Sequence, residues 1–146
     1  MKKSLIFTVM LLTFGISTAR ADDDRPIHIT QLPQVSQQFI KQHFANEKVA
    51  YAKMERDFLE IRYEVVFTSG SKIEFLKNGE WKEVDCKYAT VPANIIPPQI
   101  KQFIETNYPG ASAVQIDRDK RDYEVKLSNR LELTFDLKFN LIEIDD

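Results

Sequence analysis

An internal repeat narrows the folds open to this chain more than any other part of its sequence. Phe39-Ile40-Lys41-Gln42-His43-Phe44 is echoed 64 residues later by Phe103-Ile104-Glu105-Thr106-Asn107-Tyr108, and Pro33 is echoed by Pro97 at the same spacing. Further on, Tyr63-Glu64-Val65 returns as Tyr123-Glu124-Val125, and Glu83-Val84-Asp85 as Glu143-Ile144-Asp145, now 60 residues apart. Self-similarity at a fixed period means that one supersecondary unit is built twice. The fall from 64 to 60 places four extra residues in the first hairpin of copy one.

Within each copy the apolar period changes once, and the change marks where helix gives way to strand. In copy one Thr30 can cap a helix over about Leu32–Phe44, with Val35, Phe39, Ile40 and Phe44 on one face. In copy two Pro97 and Pro98 suit a first helical turn, Ile100, Phe103, Ile104 and Tyr108 form the stripe, and Pro109-Gly110 ends it. Helices this short are marginal alone, so each must dock on something.

The segments that follow alternate with period two, the pattern of strands wet on one side. Ile61, Tyr63, Val65 and Phe67 oppose Glu60, Arg62 and Glu64; Ile73 and Phe75 oppose Lys72 and Glu74; Leu131, Leu133, Phe135 and Leu137 oppose Glu132, Thr134 and Asp136. Asn78-Gly79 reads as a two-residue hairpin turn leading to a strand over about Glu80–Asp85. The expected fold class is therefore α+β: a tandem repeat of one helix plus four antiparallel strands, with the helices packed on one face of the sheet. Residues 22–90 hold the first repeat and its linker, from Cys86 to Ile96, and residues 91–146 the second.

The repeat also predicts which residues face outward. Val114 and Ile116 match Ala50 and Ala52, which makes those inward and Val49, Tyr51 and Lys53 outward. Ile142 and Ile144 read as inward, so Trp81, the match of Leu141, is expected on the open face.

Met1-Lys2-Lys3, a short apolar run and Ala19-Arg20-Ala21 read as a secretory signal peptide over residues 1–21, cleaved after Ala21, and the run is short for a membrane span. The only Cys is Cys86, far from that point, so a lipid anchor is not expected and the protein should be periplasmic or secreted. Residues 1–21 hold three basic residues and no acid, which leaves 17 basic against 22 acidic residues, a net charge of −5. That balance, without a basic stripe, argues against nucleic acid. One Cys cannot form an internal disulfide, and a buried free thiol is expected.

Gly79-Glu80-Trp81-Lys82-Glu83-Val84-Asp85-Cys86, Val91-Pro92, Tyr108-Pro109-Gly110, and Tyr123-Glu124-Val125 through Leu133-Thr134-Phe135-Asp136 resemble the PepSY-like secreted bacterial proteins, similar in fold to beta-lactamase inhibitor protein. The resemblance covers nearly the whole mature chain. It implies a tandem repeat of helix and four-stranded sheet, an inhibitory or binding role by analogy, and no catalytic residues. Phe139 stands where copy one has Gly79, so the matching hairpin of copy two is expected to differ.

The inventory for chemistry is thin. His28 and His43 have no Ser, Cys or Asp at suggestive spacing, and a free thiol in an oxidising compartment is a fragile nucleophile. No His-x-x-x-His and no Cys pair offers a metal site; Asp22-Asp23-Asp24 lacks the alternating oxygens and Gly of an ion loop, and four Gly make no phosphate cradle. No cofactor, no metal and no enzyme activity is expected. Surface recognition remains, with Tyr51, Arg62 and Trp81 on the open face, and Phe139 at a turn tip, as the partner-binding residues. The leading expectation is a non-catalytic binding or inhibitor-like protein with a protein or peptide partner. A self-associating envelope protein comes second and an enzyme third.

Overall fold

The computed structural model describes residues 24–146; the expected signal peptide, its cleavage point and Asp22-Asp23 lie outside them. Among the described residues nine strands form one antiparallel sheet in the order of the chain: β1 Arg25–Ile27, β2 Val49–Asp57, β3 Glu60–Phe67, β4 Lys72–Leu76, β5 Trp81–Asp85, β6 Ala113–Arg118, β7 Asp122–Leu127, β8 Glu132–Asp136 and β9 Leu141–Asp145. Helices α1 Gln34–His43 and α2 Pro98–Asn107 precede β2 and β6. Among the described residues no helix is long and apolar enough to cross a membrane.

One cross-strand row explains why two copies make one core. Ile27, Ala52, Val65, Ile73, Val84, Ile116, Val125, Leu133 and Ile144 are paired strand to strand across the whole sheet. Side chains on paired residues share a face, so this row is the apolar floor on which both helices lie. Phe39 of α1 meets Phe75 edge to face and Phe44 stacks on Phe67, while Phe103 of α2 meets Phe135 as Phe39 meets Phe75. Ile100 and Ile104 are buried as the stripe of α2 requires.

Helix α1 differs from expectation. It starts at Gln34 after Pro33, and Thr30 lies in a 3-10 turn, Ile29–Gln31, where it offers no cap. The stripe turns accordingly: Ser36, Ile40 and Phe44 point inward and Val35 is exposed. The Ser36 hydroxyl donates to the Gly79 carbonyl at 2.8 Å, which joins the helix to the β4–β5 hairpin. The expected linker also has structure, with a 3-10 turn at Ala93–Ile95 and Val91, Ile95 and Ile96 in the core.

Each repeat carries two β-bulges, at equivalent positions. Ala50 is the extra residue of β2 and Val114 that of β6; Lys82 is the extra residue of β5 and Ile142 that of β9. A bulge inverts the pleat beyond it, and this overturns the expected orientations of Val49, Ala50 and Ile142, and that of Trp81 described below. Val49 packs against the core and Ala50 is exposed. Ile142 is exposed, and Ile144, though on the inner row, is half exposed because β9 is an edge. Leu137 lies in a turn and is also exposed.

Candidate functional site: the uncovered face and the hairpin end

The side of the sheet away from the helices carries charge in rows. Next to the apolar floor, Lys53, Glu64, Glu74, Glu83, Asp117, Glu124, Thr134 and Glu143 are paired in sequence from β2 to β9. Five consecutive carboxylates thus stand directly opposite one another, an arrangement that repels unless cations intervene. In copy one they do. Lys53 Nζ lies 3.1 Å from Glu64, Arg62 lies 3.3 Å from Glu74, and Lys72 reaches both Glu64 and Glu83, at 4.0 and 3.7 Å. Glu55 and Glu64 raise the pKa of Lys53 by hydrogen bonding; for Arg62, burial opposes the charge and Glu74 and Glu60 outweigh it.

In copy two, among the described residues, no ion pair supports Asp117 or Glu124. Burial, with Glu83 beside it, pushes the Asp117 carboxyl up to about 7, and its Oδ1 is buried without a partner. Burial first, then the neighbouring Asp122 and Glu132, raises Glu124; burial likewise raises Glu83. Gln115 donates to Glu83 at 2.8 Å.

Of the residues expected to bind a partner, Tyr51 and Arg62 lie on this open face. Tyr51 is exposed opposite Val66, four residues along β3 from Arg62, hence about 13 Å away. Trp81 does not join them. The bulge at Lys82 pairs Trp81 with Phe75, which turns its ring into the core, 8% exposed and 6.3 Å from Phe39. Phe139 is not a free tip either: its ring packs on Tyr123 at 5.5 Å. Its hairpin, expected to differ, is the same as that of Gly79. Both are three-residue loops whose last residue has positive φ, Gly79 at +90° and Phe139 at +68°, so the two-residue turn expected at Asn78-Gly79 is not formed.

Trp81 and Arg62 nevertheless meet at one place. A cleft of about 820 Å3 at the hairpin end of the sheet is lined by both, together with Leu76, Lys82, Arg118 and Lys120. The Arg118 guanidinium lies 3.9 Å over the Trp81 ring, and its Nε donates to the Trp81 carbonyl at 2.8 Å. Beside it, a shallower cleft of about 480 Å3 shares Arg62 and Leu76 and reaches Leu59. Leu59 and Phe58 form the tip of the β2–β3 hairpin, 98% and 87% exposed, with Phe58 at φ +44°. Sequence reasoning placed the four extra residues here but overlooked this apolar pair. The signal was available, since two large apolar residues at a hairpin tip have nothing of their own fold to cover.

Little here is arranged for catalysis. The Cys86 thiol is buried and hydrogen-bonded to Ser71, and burial raises its pKa, the opposite of an activated nucleophile. The His43 ring packs on Phe39 at 4.7 Å, with its pKa lowered by burial. Among the described residues no group of three or more His, Cys, Asp or Glu is gathered closely enough to hold a metal ion.

Comparison with known proteins agrees with this architecture. No curated protein matches the sequence significantly. Similar solved structures include three crystal structures of bacterial proteins. One is described as a "putative calcium-regulated periplasmic protein" from Bacteroides thetaiotaomicron, 64% identical, with 85% of this chain and 98% of that one covered and a TM-score of 0.84. A second, described as a "putative periplasmic protein from DUF2874 family" from Bacteroides vulgatus, is 56% identical over 86% and 99% of the two chains, also at 0.84. A third, described as a "putative periplasmic protein of unknown function" from the same organism, is 36% identical over 85% and 100%, at 0.81. With them, this chain is a periplasmic protein. A family model described as "Putative beta-lactamase-inhibitor-like, PepSY-like" matches residues 21–65 and 61–143, and with a repeated helix on a continuous antiparallel sheet, the chain belongs to the PepSY-like family.

Proposed function

We propose that the protein is a non-catalytic periplasmic binding protein of the inhibitor-like kind, which engages a protein or peptide with the uncovered face of its sheet and its hairpin end. The observation that carries this reading is the β2–β3 tip. Phe58 and Leu59 are 87% and 98% exposed on a hairpin extended in one repeat only, and exposed apolar pairs of this kind mark interaction sites. Arg62 stands beside the tip, and the open face behind it offers fixed, ion-paired charges that set orientation more than affinity.

Calcium is not part of this proposal. The carboxylates of the open face stand in a line, about 4.8 Å from strand to strand, and do not converge on a point as an oxygen cage for calcium does.

The test is a paired replacement, Phe58→Ser with Leu59→Ser, compared with the parent in cross-linking from native periplasm. Partner capture should fall at least tenfold while the melting temperature stays within about 2 °C. Undiminished capture of the same partner would overturn the reading.

A further inference from the structure

The two ends of the sheet are finished differently, and the molecule itself shows what the unfinished end accepts. Strand β6 corresponds to β2 with the 64-residue spacing, so Ile116 matches Ala52 and Asp117 matches Lys53. Strand β5 lies on β6 with Val84 opposite Ile116 and Glu83 opposite Asp117. Strand β1 lies on β2 with Ile27 opposite Ala52 and Pro26 opposite Lys53. The short N-terminal strand thus occupies on copy one the register that β5 occupies on copy two. It closes that edge in two ways: three residues are too few to template another strand, and Pro26 has no N–H to offer.

Strand β9 is the copy-two counterpart of β5, with Ile144 at the place of Val84 and Glu143 at that of Glu83. Among the described residues nothing pairs with its far edge. Val84, covered by β6, is fully buried; Ile144 is 50% exposed. Strand β9 has five residues, no Pro, and a backbone already extended by pairing with β8. Glu143 and Asp145 flank Ile144 on the opposite side of the pleat, Asp145 stands across from Glu132, and among the described residues neither Glu143 nor Asp145 has an ion pair.

We propose that the free edge of β9 is a docking edge for an extended, Lys- or Arg-bearing segment of another protein, added antiparallel as β6 is added to β5, with an apolar residue over Ile144 and basic residues opposite Glu143 and Asp145. Main-chain hydrogen bonds supply affinity in strand addition and alternate side chains supply specificity. A second copy of this chain fits poorly. Two β9 strands would set Glu143, Asp145 and Asp146 against their own kind, and the β1 edge is closed by Pro26. This surface is separate from the hairpin end, so the two proposals stand or fall independently.

The probe is a fluorescent peptide with the β6 sequence, residues 112–119, carrying Gln115→Lys and Asp117→Lys, titrated against the protein. Saturable binding is expected, weakened at least tenfold in the Ile144→Asp variant and in the peptide with the unchanged β6 sequence. The amides of β9 should exchange more slowly in the complex. Because Ile144 is half exposed, the Ile144→Asp variant should keep its melting temperature within a few degrees, and Phe58→Ser with Leu59→Ser should leave peptide affinity unchanged. Equal binding by the Ile144→Asp variant, absence of binding, or unaltered exchange in β9 would overturn the proposal. So would a dimer in sedimentation that dissociates on Ile144→Asp, which would assign the edge to a second copy.

Discussion

The two repeats reach the same backbone with different side chains, and the differences fall where each repeat meets its surroundings. Copy one ends its β3–β4 and β4–β5 hairpins with Gly70 and Gly79, at φ +94° and +90°; copy two makes the same loops with Arg130 and Phe139, at +74° and +68°. A Cβ on Gly79 would stand 2.8 Å from the Pro33 Cβ, so the close approach of α1 demands glycine there. In copy two the counterpart of Ser36 is Ile100, and Gln99 reaches the Phe139 carbonyl at 3.5 Å, so a side chain is tolerated and the ring covers Tyr123. Copy one also pairs its open-face carboxylates with Lys53, Arg62 and Lys72, whereas among the described residues no ion pair reaches Asp117 in copy two, and its Oδ1 is buried without a hydrogen-bond partner. Duplication copied the path of the chain, bulges included, and left packing and charge to diverge.

Replacement of equivalent residues tests this comparison. The largest contrast should come from Trp81→Ala, which removes a buried ring from the Phe39 and Arg118 contacts and should cost about 3–5 kcal/mol. Leu141→Ala, at the equivalent place on an edge strand, should cost about 1 kcal/mol by the same rule, because its side chain is only partly buried. Urea denaturation of both variants would measure the ratio, and equal losses would show that the edge of copy two packs as firmly as the interior.

Gly79→Ala comes next. Positive φ and the Pro33 contact together should cost about 2–3 kcal/mol. A loss below about 1 kcal/mol would mean that α1 shifts freely on its hairpin.

The charge contrast has a pH signature. The folded protein holds the Asp117 proton up to about pH 7, while the unfolded chain releases it near the ordinary 3.8. Folded chains then bind more protons than unfolded ones between those values, so this group lowers stability as pH rises from about 4 to 7. Asp117→Asn should therefore add about 1 kcal/mol at pH 8, a figure reduced for solvent screening, and almost nothing at pH 4. Glu64→Gln, which breaks the Lys53 pair, should instead cost under about 1 kcal/mol at pH 8. Denaturation midpoints at both pH values would separate the two; a stabilising Glu64→Gln would erase the distinction between the copies.

The smallest effect is Arg130→Gly. Relief of a left-handed conformation at an exposed position should gain about 0.5 kcal/mol. No gain in thermal unfolding would show that Arg130 carries its φ without strain.

Much of this was legible beforehand for one reason: periodicity is local. The change from a helical stripe to alternation located α2 and strands β3, β4 and β8, and the 64-to-60 spacing located the longer hairpin. Strand β1 escaped because three residues carry no period, and its place is given by β2, a distant segment. Trp81 was misplaced because counting by twos assumes an unbroken pleat, and Lys82 breaks it. Arg62, on a stretch where the count holds, takes the expected face; Tyr51 does so too because it alternates with Ala52, although the bulge at Ala50 just before it defeats the same count for Val49 and Ala50.

A duplicated α+β unit, its hairpin order and an excess of acidic over basic residues can be read along the chain, since they follow from spacing and composition. That Trp81 is core, that Ile144 is half exposed while Val84 is sealed, and that burial raises the Asp117 carboxyl to about 7 come from the folded sheet instead. Each of those depends on which strand lies alongside, and that neighbour is set by pairing across the sheet at bulges and edges that no local period records.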